Sequence, residues 1–149
     1  MMRVLGLDFG SKTVGVAVSD PTGTLARGLE IIRRKQETHL RSTMRRIGEL
    51  CAEYGAQALV LGYPLNMDDS EGERARKTKA FGDMLKQKFS LPVYYCDERL
   101  TTVEAEEIME AVGIRKDEYG KHVDRIAAAV ILQDWLDNDR DSDIYRRER

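Results

Sequence analysis

The hydrophobic pattern of this chain changes period once, between Ile32 and Leu40, and that change limits the folds open to it. Before it, residues 4–7 form a short apolar run, and Val14, Val16 and Val18 alternate with Gly15, Ala17 and Ser19. A period of two marks a strand. The glycine-containing segment Asp8-Phe9-Gly10-Ser11-Lys12 joins these two strands as a tight turn. Asp20-Pro21-Thr22-Gly23 signals a second turn, and residues 25–32 form a third strand. Three strands with short connections read as an antiparallel meander.

After the change, apolar residues recur at three- and four-residue steps. Leu40, Met44, Ile47, Cys51 and Tyr54 line one helix face, and Gly55 can end that helix. Residues 58–61 are a short buried strand, left through Tyr63-Pro64-Leu65-Asn66 into a polar loop. A second helix over 73–88 is expected to bury Ala80, Phe81, Met84 and Leu85. Pro92 opens a strand over 93–96, and Thr101-Thr102-Val103-Glu104 is a capping box for a helix that ends near Gly113. A polar loop with Arg115, Lys116 and Asp117 precedes a last helix from about His122 to Leu136. A meander followed by strand–helix alternation gives an α/β fold, a mixed sheet covered by helices. One domain over 1–137 is expected, with a charged tail over 138–149 that frays.

Composition narrows the class. With 42% hydrophobic and 34% charged residues the chain reads as a globular domain. No apolar run approaches the roughly 20 residues of a membrane span. The N-terminus lacks a signal-peptide pattern, so a cytoplasmic protein with no membrane partner is expected. Cys51 and Cys96 stand in no metal-ligand spacing and read as buried thiols. A net charge of −2 argues against a strongly basic nucleic-acid binder. Acids gathered in a metal site, however, lower net charge without opposing a substrate once cations bind.

Three acids stand in unusual places. Asp8 interrupts an apolar strand just before a glycine turn; a buried carboxylate is costly unless paired or bound to a cation, although Asp also caps hairpins. Glu98, in Asp97-Glu98-Arg99, falls at the carboxyl end of a strand, either a site position or a surface loop with a local Glu–Arg pair. Asp124 falls in the expected first turn of the last helix, where the dipole favours an anion, yet it shares a face with Ala128 in an alanine-rich contact. Together the three suggest a site of oxygen ligands with open water positions, which suits Mg²⁺, with Mn²⁺ as a second candidate. Two such ions roughly 4 Å apart serve in-line attack of water on a phosphodiester. His39 and His122 form no nucleophile triad, and no P-loop is present.

Four segments then carry a resemblance: GLDFGSKTVGVAVSD (6–20), LVLGYPLNMD (59–68), DERLTT (97–102) and HVDRIAAAVILQ (122–133). In this order they resemble one bacterial family, the pre-16S rRNA processing nucleases, also described as Holliday junction resolvases. The resemblance implies a ribonuclease H-like fold with a five-stranded mixed sheet, and Asp8, Glu98 and Asp124 as the metal-binding catalytic acids. Ser11 stands where the family usually has Thr, and His122-Val123 is a less typical lead into Asp124, so no role is carried over to His122.

The substrate implied is structured RNA or branched DNA. Lys12, Arg99, Lys121 and Arg125 lie near the acidic motifs; with Ser11, and with Asn66 at the end of a central strand, where it orients a backbone phosphate or holds the loop, they are the candidate substrate contacts. Arg41 and Arg45 on one helix face, and the run Arg33-Arg34-Lys35, read as solvated charge. Precursor ribosomal RNA is the first reading. Junction resolution would require a homodimer, because two strands are cut across a twofold axis; otherwise a monomer suffices. A non-catalytic RNA-binding or transcription-associated module on the same fold is the remaining alternative.

Overall fold

The computed structural model describes residues 3–64, 72–97, 101–111 and 113–139, with the backbone alone for 101–105, 121–124 and 139. Five strands form one sheet: β1 (Arg3–Phe9), β2 (Thr13–Ser19), β3 (Ala26–Arg33), β4 (Ala56–Tyr63) and β5 (Val93–Asp97). Their order is β3-β2-β1-β4-β5. The first three pair antiparallel as a meander, and β4 and β5 add parallel to β1. The helices are α1 (Arg41–Tyr54), α2 (Glu73–Phe89), α3 (Thr101–Ala111) and α4 (Tyr119–Asp134). This is the expected five-stranded mixed sheet flanked by helices.

Local chemistry explains the turns. Gly10 N–H donates to the Thr13 carbonyl at 2.7 Å and closes the first hairpin. Asp20 Oδ1 accepts from the Thr24 and Leu25 amides, which shapes the second turn and holds the Asp20 carboxyl below its ordinary range. Gly55 ends α1 at φ 63°, with its N–H on the Cys51 carbonyl.

The alternation in β2 separates large from small residues rather than apolar from polar. Val14, Val16 and Val18 join Leu5, Leu7, Phe9, Ile47 and Phe81 in the core under α1 and α2. Ala17 faces the other way, into a core with Val60, Ala128, Ile131, Leu132 and Trp135 beneath α4. Both sheet faces are therefore covered, and β4 is buried from Ala58 to its end. The polar Ser19 survives inside because its Oγ accepts the Val4 amide at 2.9 Å.

Three local expectations change. On α2 the buried residues are Ala75, Thr78, Phe81, Gly82 and Leu85, while Ala80 is exposed and Met84 is 40% exposed. The face is set by Phe81 stacked on Phe9 at 4.1 Å, which turns Ala80 and Met84 outward. Cys96 is buried as expected, but Cys51 is only partly buried. The last helix runs on through a π-helical turn, Trp135–Asp139, in which Asn138 donates to Asp134; the tail beyond 139 lies outside the described residues.

Candidate active site at the carboxyl edge of the sheet

Three parallel strands end together. Leu7 pairs with Leu61, and two residues further on Tyr63 pairs with Asp97, the last residue of β5. Asp8, one residue from the end of β1, therefore stands at the same edge as the start of the Asp97-Glu98-Arg99 segment. Carboxyl ends of parallel strands are where such sheets build sites, because the chain leaves the sheet there. Asp8 and Asp97 are both half-buried.

Asp8 shares its sheet face with Gly6, and that face meets α4. A Cβ on Gly6 would stand 2.6 Å from Leu132 Cβ and 3.1 Å from the Ala128 carbonyl oxygen. In register beside Gly6 lie Ala17 and Gly28, and a Cβ on Gly28 would stand 2.7 Å from Arg125 Cγ. The helix thus rests almost on the sheet backbone. Its direction follows from these contacts: Arg125 lies over Gly28, while Gln133 Oε1 accepts the Ala26 amide at 2.8 Å at the start of β3. So α4 runs antiparallel to β1 and β3, with its N-terminal half toward the carboxyl edge. Position 124 lies one turn before Ala128, on the Asp8 side of Gly6. The residue opposite Asp8 on β2 is Gly15, which leaves that side of the carboxylate without a neighbouring side chain on the strand.

The helix begins earlier than its sequence suggests. A 3-10 turn, Lys116–Glu118, leads directly into α4 at Tyr119, with the Glu118 amide on the Arg115 carbonyl at 2.9 Å. Asp124 is consequently in the second turn. Helix-dipole stabilisation fades within the first turn, so it does not account for an acid here.

The candidate substrate contacts fall into three groups. Ser11 and Lys12 are exposed at the tip of the β1–β2 hairpin, beside Asp8 in the chain. Arg125 is half-buried, its stem against Gly28. Glu98, Arg99 and Asn66, and the side chains of Lys121 and Asp124, lie outside the described residues. Among the described residues no three His, Cys, Asp or Glu side chains are gathered as a metal site; two of the three expected ligands are not in that set. An all-carboxylate donor set is the hard-oxygen type that Mg²⁺ accepts.

Sequence reasoning missed two arginines. Arg34, read as solvated, is 7% exposed. Its Nη2 donates to the Gly10 carbonyl at 2.6 Å and its Nε to the Glu37 carbonyl at 3.1 Å. Arg74 Nη2 donates to the Phe9 carbonyl at 3.3 Å and Nη1 to Glu37 Oε1 at 2.8 Å. Both guanidinium groups stand 4.9 Å from the Phe9 ring centroid. The two carbonyls that follow Asp8 are thus each held by a cation. Burial, and then Arg74, lower the pKa of Arg34, while hydrogen bonds from Arg74 and Lys77 hold Glu37 below its ordinary range. Arg34 Nη1 and Arg74 Nε are buried with no hydrogen-bond partner among the described residues. One signal was available: Arg34, just past the end of β3, is two residues beyond the buried Ile32 and keeps its alternation.

The comparisons agree with this architecture. The model of the family RuvX, described as Holliday junction resolvase, matches residues 2–138. A relative from Agathobacter rectalis, named "Putative pre-16S rRNA nuclease", is 57% identical over 136 residues, covering 91% of this chain and 95% of the relative. One of the same name from Streptococcus thermophilus is 50% identical over 137 residues, covering 91% and 98%. Among solved structures, Thermus thermophilus RuvC in complex with Holliday junction substrate superposes with a TM-score of 0.53 at 19% identity, covering 91% of this chain and 94% of that one. The fowlpox virus resolvase with junction DNA gives 0.53 at 15% identity, covering 91% and 97%. These structures share the ribonuclease H-like fold with this chain.

Proposed function

This chain is a member of the RuvX family, and from that membership we propose that it hydrolyses phosphodiester bonds in nucleic acid at the carboxyl edge of its sheet. The observation that carries this is Asp8, half-buried at the carboxyl edge where β1 and β5 both end and where the N-terminal half of α4 lies. In this reading Asp8, Glu98 and Asp124 hold divalent cations, Mg²⁺ or Mn²⁺. Such cations, when bound, supply an activated water and charge compensation at the leaving oxygen. Ser11 and Lys12, exposed at the neighbouring hairpin tip, contact substrate phosphate. Asn66, Arg99, Lys121 and Arg125 are assigned to the same substrate face. Arg34 and Arg74 touch no substrate; they hold the backbone that follows Asp8.

The substrate is precursor 16S ribosomal RNA, a reading supported by the names of relatives at 57% and 50% identity. Junction DNA is the second reading, favoured by the description of the family. End-labelled precursor RNA and a four-way DNA junction, incubated side by side with Mg²⁺, decide between them. Asp8→Asn, Glu98→Gln and Asp124→Asn should each abolish cleavage with an unchanged circular dichroism spectrum, and a chelator should abolish it in the native protein. Full activity in any variant removes that residue from the site, and activity in chelator removes the metal.

A further inference from the structure

We infer that the groove between α1 and α2, on the sheet face opposite α4, binds the phosphate backbone of a polynucleotide beyond the cleavage site. The inference rests on the nuclease reading for the identity of the polyanion, but not on which residues cleave it.

The groove encloses about 810 Å³ and continues past Arg41 toward Gly48 and Phe89. Leu40, Met44 and Met84 form its floor, and Arg41, Arg45 and Lys88 its rim. Among the described residues no Asp or Glu lines it. These three cations make no hydrogen bond or ion pair with any described residue. Their neighbours behave otherwise. Arg46, on the same helix, is engaged by Glu30 at 2.7 Å and Glu49 at 3.4 Å. On α2, Lys77 pairs with Glu37 and Glu73, and Lys79 with Asp83. The acids that pair with these neighbours, Glu30, Glu37, Glu49, Glu73 and Asp83, do not line the groove, so in a chain of net charge −2 this concave surface keeps its positive charge. A charged cleft with low-dielectric walls focuses potential and attracts a polyanion.

The occupant follows from the shape of that charge. Leu40, Met44, Met84 and the half-buried Phe89 give the groove an apolar floor, but three cations line its rim with no described carboxylate beside them, and that one-sign charge selects a polyanion over an ordinary amphipathic helix of mixed charge. Arg41 and Arg45 are one helical turn apart, about 6 Å along the axis, a row suited to successive phosphates of one strand. The groove and the candidate site lie on opposite sheet faces, and a chain of contacts links them around the carboxyl edge. Thr38, at its mouth, follows Glu37, which binds Arg74, and Arg74 holds the Phe9 carbonyl next to Asp8. A substrate crossing the carboxyl edge and continuing over it enters this groove.

The test is fluorescence anisotropy with a labelled RNA stem carrying single-stranded extensions, in the presence of chelator so that binding is read without cleavage. The protein is the full chain carrying R41Q, R45Q and K88Q together, with R27Q and K116Q together as a charge control. The groove variant should bind at least about tenfold more weakly, and its slope of log affinity against log salt should fall by about 1 per residue removed. The control should bind as the native protein does. A native affinity and slope in the groove variant overturn the inference, and so does an equal loss in the control. Native RNA affinity with weakened binding of polyglutamate would assign the groove to an acidic protein and overturn it too. An unchanged circular dichroism spectrum certifies the fold. Loss of cleavage in Asp8→Asn is a separate result, since that carboxylate plays no part in this binding.

Discussion

Arg34 reaches across 24 residues of chain to donate to the carbonyl of Gly10 at 2.6 Å. This bond, with the Arg74 contact to Phe9, determines how the backbone leaves β1 after Asp8. Arg34→Met strips the donor from two half-buried carbonyls, Gly10 and Glu37, and should cost about 2 kcal/mol, toward the low end of the roughly 1–3 that each fully buried unsatisfied group costs. A lowered urea midpoint reads this directly. Turnover should fall while KM for RNA stays unchanged, because the guanidinium positions backbone and touches no substrate. Arg34→Lys keeps the charge without the fork of donors and should recover only part of both. A native midpoint and turnover in the Met variant would refute the role.

Gly6 and Gly55 should respond differently to alanine. At Gly6 the new Cβ meets Leu132 and the Ala128 carbonyl, so α4 must lift from β1. Gly6→Ala should cost about 1–3 kcal/mol and reduce turnover of the folded protein, because it displaces the helix that carries position 124. At Gly55 a new Cβ would meet no described residue within 4 Å, but φ is 63°. Gly55→Ala should cost about 1 kcal/mol of backbone strain with native turnover. Equal turnover in the two variants, measured below their unfolding temperatures, would remove the link between α4 seating and activity.

Stability should fall toward acid pH through Glu37 and Glu30. Hydrogen bonds from Arg74 and Lys77 depress the folded-state pKa of Glu37, and Arg46 does the same for Glu30. A depressed carboxyl contributes stability above its unfolded pKa and loses it as pH falls through the folded value. Glu37→Gln should therefore melt below the native protein near pH 7, and the difference should close below about pH 4. A gap independent of pH would mean that Glu37 acts by shape and not by charge.

Thiol reactivity should be low. Burial raises the Cys51 thiol to about 11, and Cys96 is 1% exposed with its Sγ 3.2 Å from Asp134 Oδ2. Little Cys51 thiolate is present at neutral pH and burial keeps reagent from Cys96, so a disulfide reagent should modify the native protein slowly and both cysteines quickly in urea. Fast modification of the native protein would contradict the burial of Cys96.

Much of the architecture was legible because it rests on local rules. The period change after Ile32 separated meander from alternating strands and helices, and Gly55 marked a helix end that the structure keeps. Sequence failed where the deciding contact is distant. Ala80 and Met84 look like core residues until Phe81 stacks on Phe9. Arg34 looks solvated until Gly10 and Phe9 are placed beside it. Arg41 and Arg45 look like ordinary surface charge until α2 supplies Lys88 across a groove.

Hydrophobic period, turn residues and motifs act over a few residues, so the strand and helix inventory, the class of sheet and the acids worth suspecting can be read from the chain alone. That Gly6 and Gly28 admit α4 onto the sheet, that α4 starts at Tyr119, and that two arginines clamp the backbone after Asp8 emerge from the folded chain. Those facts depend on close packing between residues far apart in the chain, where a single Cβ or a single carbonyl decides the outcome and no local pattern records it.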